Sequence, residues 1–304
     1  MIGLSTSWQS AKIDSGKELL DRILNLGVEA IELDYRVTIP MFREMLPILK
    51  KKLLSVLSIH NFFPLPENFS RSQASGDLLL LSSTDKEERE KAIKYTIKTI
   101  RLAFELEVKA VVLHLGRVEM ETDPDKFFDY YDQKKIDSLE AKKFLAEQKH
   151  SKGLNRQKYL DSVLFSLDKL NKEADKRGVL LGMENRYYFH EIPDETELGI
   201  IFQQFAGSNI RYWHDVGHAG VQENLGILSH QELLKRYQNH LAGIHLHDLN
   251  GYEDHFAPGT GELNYELIKD AINPETIKIM ELHSKVSQNE VKDGLAFLKN
   301  CGIS

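Results

Sequence analysis

Eight short apolar segments with β-strand character alternate along this chain with longer helical segments. The strands are predicted at residues 1–5, 30–35, 55–60, 110–115, 179–184, 210–213, 241–246 and 277–280. Strands that are separated by helices pair in parallel, and eight such units in 304 residues close most naturally into a single (β/α)8 barrel. An open doubly wound sheet is the alternative. The first strand is followed by Ser5-Thr6-Ser7-Trp8, however, and not by a glycine-rich dinucleotide-binding turn.

The helical segments are predicted at residues 14–26, 40–53, 84–107, 159–177, 195–205, 229–240, 263–271 and 289–299, and no boundary signal divides the chain. We therefore expect one domain over residues 1–304. Residues 119–158 are densely charged with both signs and are interrupted by Phe127, Phe128, Tyr130 and Tyr131, which indicates a helical insertion after the fourth strand. A lid, a subunit contact and a solvated helical excursion all remain open for this insertion.

Charge and composition restrict the classes of partner. The formal net charge is −7 and the only cysteine is Cys301, so no disulfide framework exists and a reducing, cytoplasmic location is expected. The chain lacks an apolar run of membrane-spanning length, so no membrane partner is expected. An acidic total makes nucleic acid an unlikely partner. A homo-oligomer is compatible with the sequence.

Metal-compatible side chains end six consecutive predicted strands. In a parallel barrel the carboxyl ends of all strands surround one mouth, where catalytic groups collect. A single strand-end histidine usually has a structural hydrogen bond, but six such positions in one mouth favour a shared cation. The six residues are His60, His114, Glu184, Asp215, His245 and Glu281.

The stretch 243–261 carries the densest group of such side chains. An apolar strand breaks there at His245 and His247 into a loop that contains Glu253, Asp254 and His255. A buried imidazole without a partner costs roughly 1 to 3 kcal/mol, and a divalent metal can satisfy several imidazoles and carboxylates together. The alternative is a loop whose histidines bond only to nearby carbonyl groups.

Two motifs carry a family resemblance: His214-Asp215-Val216-Gly217-His218 and the run from His245 through His255 to Gly261. With them, nearly the whole chain resembles the xylose isomerase-like barrel superfamily, which contains sugar isomerases, epimerases and endonuclease IV. Resemblance to the epimerases implies one divalent ion (manganese, magnesium, cobalt or zinc) held by Glu184, Asp215, His245 and Glu281.

Resemblance to endonuclease IV implies up to three zinc ions. One further ion would use His60 and His114 with the shared Glu184. The other would use His218, His255 and an acidic residue two positions before His255. That acidic position is Glu253 here, where the endonuclease has an aspartate, and Asp254 is adjacent.

The favoured functional hypothesis is a metal-dependent isomerase or epimerase of a small sugar, polyol or sugar phosphate, acting by proton transfer through a metal-stabilised ene-diolate. Glu184 and Glu281 would take and return the proton, or serve only as ligands. The expected substrate contacts are a hydroxyl on His218 and a negatively charged group on Arg186, with His114 and a ring wall at Trp8 as further candidates.

Two other functions are compatible with the sequence. One is a zinc phosphodiesterase of the endonuclease IV type that acts on abasic DNA. A phosphate-binding surface normally carries many lysines and arginines, but the loop 61–82 carries only Arg71. The other is a binding module with a structural metal, which would require a closed coordination shell.

Overall fold

Eight parallel strands form a closed barrel in the computed structural model, which describes residues 1–304. Each strand pairs with the next barrel strand along the chain, and the last pairs with the first. The predicted (β/α)8 barrel is therefore confirmed. The strands are Ile2–Ser5, Ala30–Leu33, Ser55–His60, Ala110–Leu113, Leu180–Glu184, Ile210–Asp215, Leu241–Leu246 and Ile277–Met280.

The main helices surround the barrel and begin at polar caps. Asp85, for example, accepts hydrogen bonds from the backbone N–H groups of Glu87 and Glu88 and so satisfies the free donors of the first turn. The eight main helices are Gly16–Leu24, Ile39–Lys50, Lys86–Glu105, Leu139–Asp175, Glu195–Gln204, His230–Tyr237, Tyr265–Ala271 and Gln288–Asn300. Three further helices are Ser7–Ser10, Pro124–Asp132 and Val216–Asn224, and short 3-10 helices lie at Arg71–Gln73 and Gln238–His240. No helix is both long enough and apolar enough to cross a bilayer.

Trp213 packs inside the barrel beneath the mouth. Its ring is fully buried, and a Cβ atom added at Gly182 or Gly243 would collide with it. The two neighbouring strands therefore need glycine at these positions. The Trp213 ring also lies edge-on to His245, with 5.3 Å between ring centroids. The indole forms an apolar floor for the polar groups at the strand ends.

The charged segment 119–158 differs from its predicted boundaries. Its second half and the predicted helix 159–177 form one continuous 37-residue helix, Leu139–Asp175. Ser138 caps this helix and no proline interrupts it. The segment is not a solvated excursion, because Phe127 and Phe144 are buried in an apolar cluster with Val221 and Leu249.

Two connections at the mouth also differ from expectation. No helix is predicted directly after the sixth strand, but the helix Val216–Asn224 begins there. His255 lies not in an open loop but in an antiparallel hairpin formed by Asp248–Asn250 and Glu253–Phe256. Gly217 and Gly220 lower the helix propensity of this segment, so the sequence does not predict a helix there. In the structure Asp215 caps the first turn and stabilises the helix.

Candidate metal centre

The carboxyl ends of the last four barrel strands bring together the four residues predicted to share one ion. Glu184, Asp215 and His245 lie at or near the ends of the fifth to seventh strands, and Glu281 follows the eighth. All four side chains are buried, and one ligand atom from each lies within 4.8 Å of the others. The structure thus brings together the four residues that the sequence predicts to share an ion, and the group could hold a metal ion.

His245 is the centre of this group. Its Nδ1 atom lies 2.7 Å from Glu184 Oε1, 2.9 Å from Glu281 Oε2 and 3.6 Å from Asp215 Oδ2. Its Nε2 atom lies 3.2 Å from Glu32 Oε2, so this carboxylate can accept the Nε2 proton. In the neutral imidazole Nδ1 then presents a lone pair towards three carboxylates.

Asp215 is held by its backbone and by neighbouring strand ends. Its Oδ1 atom accepts a hydrogen bond from the His218 N–H at 2.7 Å, which caps the helix Val216–Asn224. The Asn185 side chain accepts from the Asp215 N–H at 2.8 Å and donates to the Asp215 carbonyl at 2.9 Å. This pair of bonds fixes the fifth and sixth strand ends relative to each other.

A second cluster lies on the other side of Glu184. His114 Nε2 is 2.7 Å and His60 Nε2 is 3.5 Å from Glu184 Oε2. His114 Nδ1 lies 3.1 Å from Asp77 Oδ2, and His60 Nδ1 lies 3.1 Å from the Asn61 carbonyl. These acceptors favour the tautomers in which both Nε2 atoms have a free lone pair directed at Glu184.

A third cluster contains His218, Asp254 and His255. His218 Nδ1 donates to the Asn185 carbonyl at 3.0 Å, which leaves its Nε2 atom free, 3.8 Å from Asp254 Oδ2. Asp254 Oδ1 also lies 2.8 Å from His255 Nδ1. Of the two acidic alternatives, Glu253 is exposed and belongs to none of the clusters, whereas Asp254 belongs to this one. His255 has a positive φ of 60°, which interrupts the side-chain alternation of the hairpin strand, and Asp254 and His255 both face the cluster.

His247 supports Asp215 from a further direction. The backbone N–H of His255 donates to His247 Nδ1 at 2.9 Å, so that nitrogen is the acceptor and Nε2 carries the proton. Nε2 then donates to Asp215 at 3.0 Å. Gly217 permits this arrangement, because a Cβ atom there would collide with the His247 ring.

Burial and charge act in opposite directions on these groups. Burial would raise the pKa of Glu184, but His245 and His114 outweigh it and hold that pKa well below its usual range. Burial would also raise the pKa of Glu281, but the charge and hydrogen bond of His245 outweigh burial and lower that pKa. Both carboxylates are therefore ionised at neutral pH.

The histidines show the complementary effect. Burial would lower the pKa of His245, but the carboxylates of Glu281, Glu32 and Glu184 raise it well above its usual value. Burial and Arg186 oppose protonation of His114, yet Asp77 raises its pKa to about 9. The carboxylates of this mouth therefore attract positive charge to the imidazoles.

The residues present fit a divalent cation. Glu184 Oε2 is buried and has no hydrogen bond of acceptable geometry. Three carboxylates converge on one nitrogen of His245, which can donate to only one of them. Mixed carboxylate and imidazole donors suit Mn²⁺, Co²⁺ and Zn²⁺, and carboxylates alone suit Mg²⁺.

Two of the predicted substrate contacts have protein partners. Trp8 is almost fully buried and its indole N–H donates to the Val286 carbonyl at 2.8 Å, which leaves little ring surface for a sugar. Arg186 is also buried and donates at 2.8 Å to both Asp77 and Glu191. Its Nε and Nη1 atoms have no hydrogen-bond partner, and Nη1 lies 3.6 Å from Glu184 Oε2 in an ion pair.

Sequence reasoning missed several residues that complete the mouth. Glu32 was visible as a carboxylate within an apolar strand; His247 was named in the metal-compatible stretch 243–261, but its contact with Asp215 was not predicted. Asp77 and Asn185 gave no comparable signal. Asp77 comes from the long loop after the third strand, and only the fold brings it to His114 and Arg186.

Residues 20–301 match the sequence family described as Xylose isomerase-like TIM barrel. The chain belongs to this family. The family agrees with the resemblance found in the two sequence motifs and with the closed barrel. An uncharacterized protein of Methanocaldococcus jannaschii, MJ1614, is 23% identical over 213 residues, which span 68% of this chain and 67% of that protein.

Several solved structures have the same fold. A D-tagatose 3-epimerase-like protein superposes with a TM-score of 0.70 at 17% identity, covering 99% of this chain and 96% of that chain. The 3-keto-D-glucoside 4-epimerase YcjR from E. coli gives 0.67 at 14% identity, with 99% of each chain covered. A D-psicose 3-epimerase gives 0.68 at 14% identity, again with 99% of each chain covered. At these identities the likeness is one of fold.

Proposed function

We propose that this protein is a metal-dependent isomerase or epimerase of a small sugar, polyol or sugar phosphate. The observation that carries the proposal is the convergence of Glu184, Asp215 and Glu281 on Nδ1 of His245 in a buried barrel mouth. The structural neighbours named as sugar epimerases support the same class of reaction.

Glu184, Asp215, His245 and Glu281 would hold the ion, with one ion as the expected number. A divalent cation bound there would polarise a substrate carbonyl and make the neighbouring carbon-bound hydrogen more acidic. His60, His114, His218, Asp254 and His255 offer ligand atoms for up to two further ions.

Glu184 and Glu281 are the proposed proton-transfer groups. They approach His245 Nδ1 from different barrel strands, and both are ionised at neutral pH, so either can accept a proton. If they lie on opposite faces of the substrate, the ionised carboxylate of one removes the proton and the other, once protonated, donates a proton to the opposite face of the same carbon, which inverts that centre. If only one of them acts, it can return the proton to the neighbouring carbon on the same face while a proton moves between the two oxygens, and the reaction is an isomerisation.

His218 and Arg186 are the proposed substrate contacts. The Nε2 lone pair of His218 is free to accept a hydroxyl hydrogen bond, because Nδ1 donates to the Asn185 carbonyl. The Nε and Nη1 atoms of Arg186, which have no hydrogen bond, can donate to an oxygen-rich or negatively charged group beside Glu184. Contacts of His114 and Trp8 with substrate remain predictions, as do a cytoplasmic location and a homo-oligomeric state.

Proton exchange with solvent tests the proposal. Metal-free protein is reloaded with Mn²⁺, Mg²⁺, Co²⁺ or Zn²⁺ and incubated in D₂O with a panel of ketohexoses and ketose phosphates. We expect deuterium at a carbon next to the carbonyl with the wild type and with Glu262→Gln, which changes an exposed residue. Glu281→Gln should abolish this exchange while the fold persists. Absence of exchange across the panel contradicts the proposal, and exchange by Glu281→Gln removes Glu281 from the proton-transfer role.

A second candidate function is supported by the two flanking clusters. The groups His60, His114, Glu184 and His218, Asp254, His255 adjoin the central four residues, an arrangement suited to a three-zinc phosphodiesterase. Against it, the guanidinium of Arg71 is bonded to Asp14 and to the carbonyls of Ser10 and Ile13, so it is not free for phosphate. Three zinc equivalents together with cleavage of abasic-site DNA would favour this second function.

A further inference from the structure

Glu32 is a fully buried carboxylate that belongs to none of the candidate ligand groups. It lies in the second barrel strand, Ala30–Leu33, and faces the seventh strand across the barrel interior. A carboxylate in an apolar interior costs several kcal/mol unless it is hydrogen-bonded or paired. Its contacts therefore indicate what it does.

Three groups meet the Glu32 carboxylate. Ser5 Oγ donates to Oε1 at 3.1 Å, and Ser58 Oγ donates to Oε2 at 2.8 Å. These hydroxyl groups come from the first and third strands, on either side of Glu32. The third contact is His245 Nε2, 3.2 Å from Oε2. Two neighbouring strands thus hold the carboxylate against one edge of the imidazole.

The opposite edge of that imidazole faces the candidate ion position. An imidazole that binds a cation through Nδ1 must carry its proton on Nε2, and a carboxylate acceptor at Nε2 selects this tautomer. It also makes the ring a more basic ligand. A neutral or absent group at position 32 would leave the tautomer and the ring orientation less well defined.

We propose that Glu32 is a positioning residue that orients His245 as an Nδ1 ligand and strengthens its bond to the divalent cation. The inference rests on the proposed function for the presence of the cation. It assigns to Glu32 no contact with substrate and no role in proton transfer. Its consequence is a lower metal affinity when the carboxylate is changed, although all four ligands remain.

Metal titration of the metal-free protein tests this inference without any activity assay. Zn²⁺ affinity is measured by calorimetry, and Co²⁺ binding by its visible absorption, for the wild type, Glu32→Gln and Glu32→Ala. We expect about 10-fold weaker binding for Glu32→Gln, which keeps an acceptor, and about 100-fold for Glu32→Ala, which removes it. Ser58→Ala removes one of the two hydroxyl groups that hold the Glu32 carboxylate, so it should weaken Zn²⁺ binding by a smaller factor. This variant replaces Glu32→Ala in the test if Glu32→Ala does not fold.

Glu197→Gln is the matched control, because Glu197 is equally buried but contacts Lys152 and Asp194 instead of His245. We expect this variant to melt at a lower temperature and to bind Zn²⁺ as the wild type does. Wild-type affinity in both Glu32 variants would overturn the inference and leave the proposed function intact. A wild type that binds neither ion would overturn both.

Discussion

Nε2 of His114 lies 2.7 Å from Oε2 of Glu184, and Oε1 of the same carboxylate lies 2.7 Å from Nδ1 of His245. Glu184 therefore joins the central group of four ligands to the cluster that contains His60 and His114. The two clusters cannot be independent, because one carboxylate serves both.

This sharing predicts unequal effects of two substitutions on metal binding. Glu184→Gln removes the charge common to both clusters, so we expect the affinity for the first ion to fall at least about 100-fold. His114→Gln removes a neighbour of Glu184 but none of the four central ligands, so we expect a smaller loss of about 10-fold. Zn²⁺ titration of the two metal-free variants measures both values. Equal losses would show that the first ion does not use the central four residues.

A substitution at Gly217 should weaken metal binding indirectly, by displacing His247. Alanine at this position would push the His247 ring away from Asp215, so Gly217→Ala should weaken Zn²⁺ binding about 10-fold. Gly153→Ala is the control, since that helical glycine is exposed and nothing lies within 4 Å of an added Cβ. The control should bind Zn²⁺ normally and gain about 0.5 to 1 kcal/mol of stability. Unchanged binding in Gly217→Ala would exclude the support role of His247.

Substitutions of the neighbours Asp254 and Glu253 should differ in their effect on the pKa of His255. Burial lowers the pKa of His255, but the charge and hydrogen bond of Asp254 outweigh it and raise that pKa to about 10. In the metal-free protein Asp254→Asn should therefore lower the pKa of His255, whereas Glu253→Gln, at an exposed position, should leave it unchanged. Nuclear magnetic resonance titration of the imidazole measures the shift. A larger pKa shift with Glu253→Gln than with Asp254→Asn would show that Glu253, and not Asp254, lies beside His255.

His230 predicts how stability depends on pH. Its Nε2 atom lies 2.8 Å from Nε2 of buried His214, and burial lowers the pKa of His230 to about 4. The unfolded chain takes up this proton near pH 6.5 and the folded chain does not. The stabilisation is therefore complete above pH 6.5 and is lost as the pH falls towards 4, by on the order of 2 to 3 kcal/mol.

Urea unfolding of the metal-free protein at pH 7, 5.5 and 4 measures this loss. His230→Gln, which does not titrate, should show a shallower decline than the wild type over the same range. Parallel curves for the two proteins would assign the acid sensitivity to other groups.

The barrel could be predicted because every strand is apolar and every connection contains a helix. The strand-end positions of His60, His114, Glu184, Asp215 and His245 followed directly from that pattern. Their mutual approach required only that parallel strands end on one face of the barrel.

The remaining parts of the mouth depend on long-range contacts that no local pattern encodes. Asp77 reaches His114 from 37 positions away, and Glu32 reaches His245 from 213 positions away. The choice of Asp254 over Glu253 depends on which residue of the hairpin strand points inward, and the hairpin register fixes that choice. The helix after Asp215 was missed because its glycines obscure a pattern that the aspartate cap supports.

The central claim is that Glu184, Asp215, His245 and Glu281 share one divalent ion. Anomalous diffraction from crystals of the metal-free protein soaked in Mn²⁺ tests this claim directly. We predict the highest anomalous peak at coordination distance from one atom of each of these four side chains. No peak there, or a higher peak at the cluster of His218, Asp254 and His255, would contradict it.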